Sequence, residues 1–117
     1  MLRRQNRFHG LSSLNPVYRH GKTARSPMLA LKFLANERRH DYRVAVVVSR
    51  KVNKSAVVRN RLRRRIYEQV RLLSPPIAVP YDLVFTVFSE QLLELKSAEL
   101  NQLIGELLKQ AGVSRRA

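Results

Sequence analysis

The sequence predicts an α/β (α+β) fold, a two-layer sandwich in which about three helices pack on a small mixed sheet. Three observations point there. Two apolar runs, "VAVVV" from Val44 and "LVFTVF" from Leu83, are short and rich in the β-branched residues of strands. Two other segments, after Ser49 and after Ser97, repeat apolar residues at helical spacing. The elements follow one another as helix, strands, helix, strand, helix, without an internal repeat. A chain of 117 residues fits one domain, 1–117, with room for a single core.

Residues 1–10 read as a flexible basic arm. Residues 1–36 hold several Arg and no Asp or Glu, the composition of a transit peptide, but residues 18–22 and the strand starting near Met28 read as parts of the folded domain. A secretory signal is excluded because no apolar stretch follows Arg3 and Arg4. Residues 11–18 predict a short helix, capped by Ser12 or Ser13, with Pro16 tolerated in its first turn. "HGKTARSP", residues 20–27, reads as a basic turn. In the strand "MLALKFLAN", Leu29, Leu31 and Phe33 point one way and Ala30, Lys32 and Leu34 the other. "NERRHD" predicts a hairpin loop, which would pair the next strand, "YRVAVVVS", antiparallel with the last. Its β-branched run predicts a central strand covered on both faces.

The basic segment after Ser49 predicts a helix that stops before Pro75 and Pro76, since proline lacks the amide and restricts the residue before it. "YDLVFTVF" predicts a third long strand. Ser97 is the expected N-cap of a last helix carrying Leu100, Leu103, Ile104, Leu107, Leu108 and Ala111 on one face. Gly112 supplies its stop, and residues 113–117 read as a disordered tail.

Charge narrows the function. Lys and Arg total 23 against 8 Asp and Glu, a formal charge of +15, and such self-repulsion is relieved by a polyanion. Nucleic acid is the implied partner. No obligate protein partner is evident, and the apolar runs are far too short to span a bilayer. The absence of Cys removes disulfide frameworks, thiolate nucleophiles and cysteine-based metal sites, and fits a cytoplasmic setting. Glu90, Glu94, Glu99 and Glu106 gather in or just before the last helix, whereas residues 50–71 hold nine Lys or Arg against Glu68 alone. The molecule therefore has a basic side and a nearly neutral one.

On a helical projection of the basic segment, Val58, Leu62, Ile66, Val70 and Leu73 fall in one arc of roughly 120°. Asn60, Arg61, Arg64, Arg65 and Arg71 fall opposite. Arg59 and Arg63 border the apolar arc, where their stems can cover the core edge while the guanidiniums reach out. Ser55 or Asn53 can cap the start. Arginine predominates over lysine here, and a planar guanidinium grips two phosphate oxygens or stacks on an unpaired base, which suits folded RNA. A merely solvated face would need intrahelical partners, and Glu68 is the only acid available. Asn60 is either a surface amide or a hydrogen-bonding group for a sugar, base edge or phosphate-bound water.

With "RNR" at Arg59, Asn60 and Arg61, inside "SRKVxKxAVxRNRxRRR", the sequence closely resembles the protein subunit of bacterial ribonuclease P. "RF" at Arg7 and Phe8, "VYRHGK" from Val17, "YDLVF" from Tyr81 and "SAELNQLIGELLKQAG" from Ser97 extend the resemblance along most of the chain. The resemblance implies a left-handed βαβ crossover through the basic helix, an exception to the usual hand. It also implies an accessory subunit of a holoenzyme that removes the 5′ leader of precursor tRNA, with the chemistry on an RNA subunit and its Mg²⁺. Lys51, Lys54, Arg59, Asn60, Arg61, Arg63, Arg64 and Arg65 would contact that catalytic RNA. A cleft involving Leu14, Val17, Tyr18 and Phe33 would hold the single-stranded leader. Four positions depart from the family pattern: Leu14 stands where a Phe is usual, Asn15 and Pro16 are atypical beside it, and Phe88 stands where an Arg is frequent.

Three other readings compete, one of them a DNA-compacting protein, which would not require so particular an arginine helix. A structural, ribosomal-type RNA-binding protein fits the charge and size equally well, and is set apart by the leader cleft and the "RNR" helix. A protein nuclease would need its own acid, base or metal ligands. His9, His20 and His40 are scattered, no paired carboxylates occur, and Asp41 and Asp82 read as loop and strand-start residues, so no catalytic residue and no metal ligand is assigned.

Overall fold

The computed structural model describes residues 14–36, 42–73 and 80–112. The predicted basic arm, the helix caps Ser12 and Ser13, the loop at 37–41, the prolines after Ser74 and the C-terminal tail lie outside them. The described elements run α1 (Asn15–His20), β1 (Lys22–Arg25), β2 (Leu29–Ala35), β3 (Arg43–Val48), α2 (Ala56–Leu73), β4 (Tyr81–Val87), a 3-10 turn (Glu90–Glu94) and α3 (Ser97–Ala111).

Among the described residues one four-stranded mixed sheet is formed, in the order β1-β2-β4-β3. β1 and β2 are antiparallel, β2 and β4 are antiparallel, and β3 and β4 are parallel neighbours joined through α2. Two expectations are corrected. Residues 20–27 are not only a turn, because Lys22–Arg25 forms a strand whose pairing partners run from Lys22↔Phe33 to Arg25↔Ala30. Only Ala24 of that strand is buried, so its sequence shows no apolar alternation and the backbone ladder makes it a strand. The second correction concerns β3, which does not pair with β2. β4 inserts between them, and β3 lies at the edge of the described sheet. Val44, Val46 and Val48 are buried and Val47 partly so, because helices flank the strand on both faces. Part of its open edge is closed by Tyr67 of α2, whose hydroxyl accepts from the Val46 amide at 3.3 Å.

α2 and α3 pack together on one face of the sheet. Leu62, Ile66 and Val70 of α2 and Leu100, Ile104, Leu107 and Leu108 of α3 meet Leu29, Leu31, Val44, Val46, Leu83 and Phe85 there. Each such buried side chain contributes about 1.5–3 kcal/mol, so this face carries most of the stability. α1 covers part of the other face, where Leu14 and Val17 pack with Ala45 and Val84. Gly21 ends α1, its amide donating to the Val17 carbonyl at 2.8 Å. A Cβ there would lie 2.4 Å from that oxygen and 2.9 Å from the Phe33 carbonyl, so only glycine allows this approach of helix end to strand.

α2 is capped as the sequence suggests: the Ser55 hydroxyl accepts from the Val58 amide at 3.3 Å, and Asn53 Oδ1 takes the Ser55 amide at 2.8 Å. α3 starts one residue earlier than expected, with Lys96 at the cap and Ser97 already helical; the Glu99 carboxylate accepts from the Lys96 amide at 2.8 Å. Gly112 adopts φ 72° and closes the helix, as the sequence predicts. The 3-10 turn has no counterpart in the sequence reading. Ser89 caps it, and Leu92, 1% exposed, plugs it into the core.

Candidate nucleic-acid interface

The apolar arc of α2 faces the sheet as the projection requires, with Leu62, Ile66 and Val70 buried and Val58 and Leu73 partly so. Asn60, Arg61 and Arg64 are exposed on the outer side. Arg61, Arg64, Arg65, Glu68, Gln69 and Ser97 line a shallow groove of about 320 Å³ between α2 and the start of α3. Gln69 is buried at its floor and accepts from Asn101 Nδ2 at 2.8 Å, tying the two helices together. Further along, Glu68 and Arg71 pair one turn apart. The hydrogen bond from Arg71 holds the Glu68 carboxyl below its usual range, and the same bond raises Arg71. Glu68, the one acid on α2, thus lines the groove already paired with Arg71.

The arginines are not equivalent. Arg59 Nη1 reaches back to the carbonyls of Asn53 and Lys54, 3.0 Å each, and Arg63 donates to the Asn60 side-chain oxygen. The placement of Arg65 departs from the projection. Rather than facing outward it is half-buried, donating from Nη1 to the Leu92 carbonyl and from Nη2 to the Leu95 carbonyl. Lys51 and Lys54 are exposed in the loop before α2. Asn53, which the sequence reading took only as a possible cap, is the hub of that loop: its side chain donates to Glu90 while accepting from Ser55. No periodicity betrays such a bond across 37 residues.

On the other face, Leu14, Val17 and Tyr18 come together on α1, but Phe33 does not join them. Its side chain packs in the main core on the far side of the sheet, edge-on to Tyr81 with ring centroids 6.3 Å apart. Leu14 and Val17 are buried, so what α1 offers a ligand is Tyr18, 45% exposed, with Lys32 Nζ 5.9 Å above its ring. The register aligns Thr23, Lys32 and Val84 in one row and Arg25, Ala30 and Thr86 in the next. Val84 packs under α1, so these rows place Lys32 and Arg25 on the α1 side of the sheet. Phe88, 46% exposed, follows at the end of β4. Tyr18 and the strand cations thus make a basic, partly aromatic strip beside α1.

No described helix is long and apolar enough to cross a membrane. Among the described residues, no group of three or more His, Cys, Asp or Glu side chains is placed to hold a metal ion.

An arginine helix laid on one face of a mixed sheet, with a cationic and aromatic strip on the other, defines a basic α+β RNA-binding protein. The Ribonuclease P family profile matches residues 2–112, and the chain belongs to that family. It is 40% identical over 110 residues to the ribonuclease P protein component of Chloroflexus aurantiacus, covering 94% of this chain and 80% of that one. To the corresponding protein of Roseiflexus castenholzii it is 39% identical over 112 residues, 96% and 90% of the two chains. Among solved structures, the RNase P protein of Thermotoga maritima superposes with a TM-score of 0.73 at 26% identity, over 83% of this chain and 89% of that one. The Staphylococcus aureus RNase P protein shares the fold, with a TM-score of 0.81 at 19% identity over 94% and 98%.

Proposed function

We propose that the chain is the accessory protein subunit of a ribonuclease P, binding the catalytic RNA through α2 and the 5′ leader of precursor tRNA along the α1 face. The chain-long family match, joined to the outward display of Arg61 and Arg64 beside Lys51 and Lys54, carries this reading. Arg59, Asn60 and Arg63 complete the RNA-facing set at its border. Guanidiniums neutralise phosphates and release counterions, which favours assembly without base-specific contacts. Tyr18, with Lys32 over its ring, is suited to stack on an unpaired base of the leader while Arg25 and Lys32 follow its backbone.

Mg²⁺, the metal of the implied chemistry, takes hard oxygen ligands. The described residues do not fit it: no carboxylate cluster is present, and the buried carboxylate of Asp82 is held by Arg43 and Asn36. The metal is assigned to the RNA and the chemical step with it, and the protein's part is binding and orientation, in the cytoplasm with its RNA.

The test compares precursor tRNA bearing a leader with mature tRNA, bound to a bacterial ribonuclease P RNA with and without the chain. A leader-dependent gain in affinity that requires the protein supports the reading. RNA binding with no leader dependence would favour a structural RNA-binding protein instead.

A further inference from the structure

The 90–95 segment runs beside α2 and is fastened to it at two places. At one end Glu90 accepts from the side chain of Asn53, in the loop that carries Lys51 and Lys54. At the other, Arg65 spans the carbonyls of Leu92 and Leu95. These are the carbonyls at the end of a short helical turn, which such a turn leaves without partners of its own. A guanidinium bridging both acts as a cap supplied from another element. Ser55 and Arg65 are ten residues apart, about 15 Å along the helix. The segment is therefore a strut between the middle of α2 and the loop before it.

We infer that Arg65 is a positioning residue rather than a phosphate ligand: by capping the 90–95 turn it holds that turn, and through the Glu90 to Asn53 contact it fixes the loop that presents Lys51 and Lys54. Asn53 suits the linking role because its carbonyl also takes Arg59 and its side-chain oxygen takes the Ser55 amide, so the loop has little freedom once Glu90 is in place. The inference rests on the RNA-binding function proposed above and redistributes labour within it, taking Arg65 alone out of the set of direct contacts.

The test measures affinity for a bacterial ribonuclease P RNA at fixed salt and across a salt series, with thermal unfolding of each variant. Arg65→Lys keeps the charge but cannot span two carbonyls, so it should lose about as much affinity as Arg65→Met, on the order of tenfold. Glu90→Ala is the sharper variant, at an exposed position that also serves if Arg65→Lys does not fold. Removing a negative charge should tighten RNA binding if only net electrostatics matters, whereas loss of the strut should weaken it. Asn53→Ala added to Glu90→Ala should cost little more, because both cut one path. Tighter binding by Glu90→Ala would overturn the inference. So would wild-type affinity in Arg65→Lys together with a salt slope lower by about 0.9 in Arg65→Met, the mark of a direct phosphate contact. Variants that lose thermal stability with unchanged affinity would reduce Arg65 to a structural role and overturn it as well. If the wild-type chain does not bind this RNA, the proposed function fails. The strut is then judged by unfolding alone, where additive losses for Asn53→Ala and Arg65→Lys would refute it.

Discussion

Arg43 and Asp82 face one another across the parallel pair β3 and β4, and their side chains form a two-point ion pair, Nε to Oδ1 at 3.0 Å and Nη2 to Oδ2 at 2.9 Å. The carboxylate is buried, and Asn36 donates a third bond to it at 3.1 Å from the end of β2. One acid therefore ties three strands, at the point where β4 enters between β2 and β3. Replacing Arg43 by Met leaves that carboxylate short of its charge partner, and such losses cost about 3–5 kcal/mol. Urea unfolding should show a loss of that size; a change below about 1 kcal/mol would mean that the pair behaves as a surface contact.

Gly21→Ala should destabilise the fold although its backbone is not left-handed. The added methyl meets two carbonyl oxygens at 2.4 and 2.9 Å, and backbone must move to admit it. Overpacking of this kind costs about 1–3 kcal/mol. Thermal unfolding measures the cost, and because α1 is displaced, Tyr18 should separate from Lys32 and precursor affinity should fall with it. An unchanged melting temperature would show that α1 shifts without penalty.

Arg61→Ala and Arg64→Ala should leave stability within about 0.5 kcal/mol, since both side chains are exposed and bond to nothing described in the fold. Each should weaken binding to the RNA subunit and lower the log–log salt slope by about 0.7–0.9. Full affinity in the double variant would remove α2 from the interface.

Glu68 supplies a pH signature. The Arg71 hydrogen bond lowers its folded-state pKa below the unfolded value of about 4.3, so its contribution is present above that value and fades as pH falls through the lowered one. The site is solvent-exposed, so the effect is small. In melting curves taken below pH ~4, wild type should lose stability relative to Glu68→Gln, with the two running parallel near neutrality. A difference that is constant across pH would show that the pair does not form in solution.

How far the sequence carried the fold depends on what each signal measures. Apolar spacing located α2 and α3 because each has one face in the core, apolar strand-like runs located β2 and β4, and Gly112 marked the end of α3 through its backbone freedom. The same signal misplaced β3, since burial on both faces is alike for a central strand and for an edge strand between helices; the parallel ladder from Arg43↔Asp82 to Val48↔Val87 reveals its neighbour. β1 escaped notice because its four residues bury only Ala24. At the interface, the outward positions of Arg61 and Arg64 were legible from the helical period. Arg65 was not, because a side chain's partner 27 or 30 residues away leaves no trace in local spacing. Phe33 was separated from Tyr18 by strand alternation, which already set it beside Leu29 and Leu31 rather than Lys32.

The most direct measurement is cleavage of a leader-bearing precursor tRNA by a bacterial ribonuclease P RNA at a Mg²⁺ concentration too low for the RNA alone, with and without this chain and beside a protein-only control. Correct 5′ cleavage only when RNA and protein are combined is the predicted result. RNA that binds the chain yet cleaves no better, or cleavage by the protein alone, would contradict the assignment of an accessory subunit.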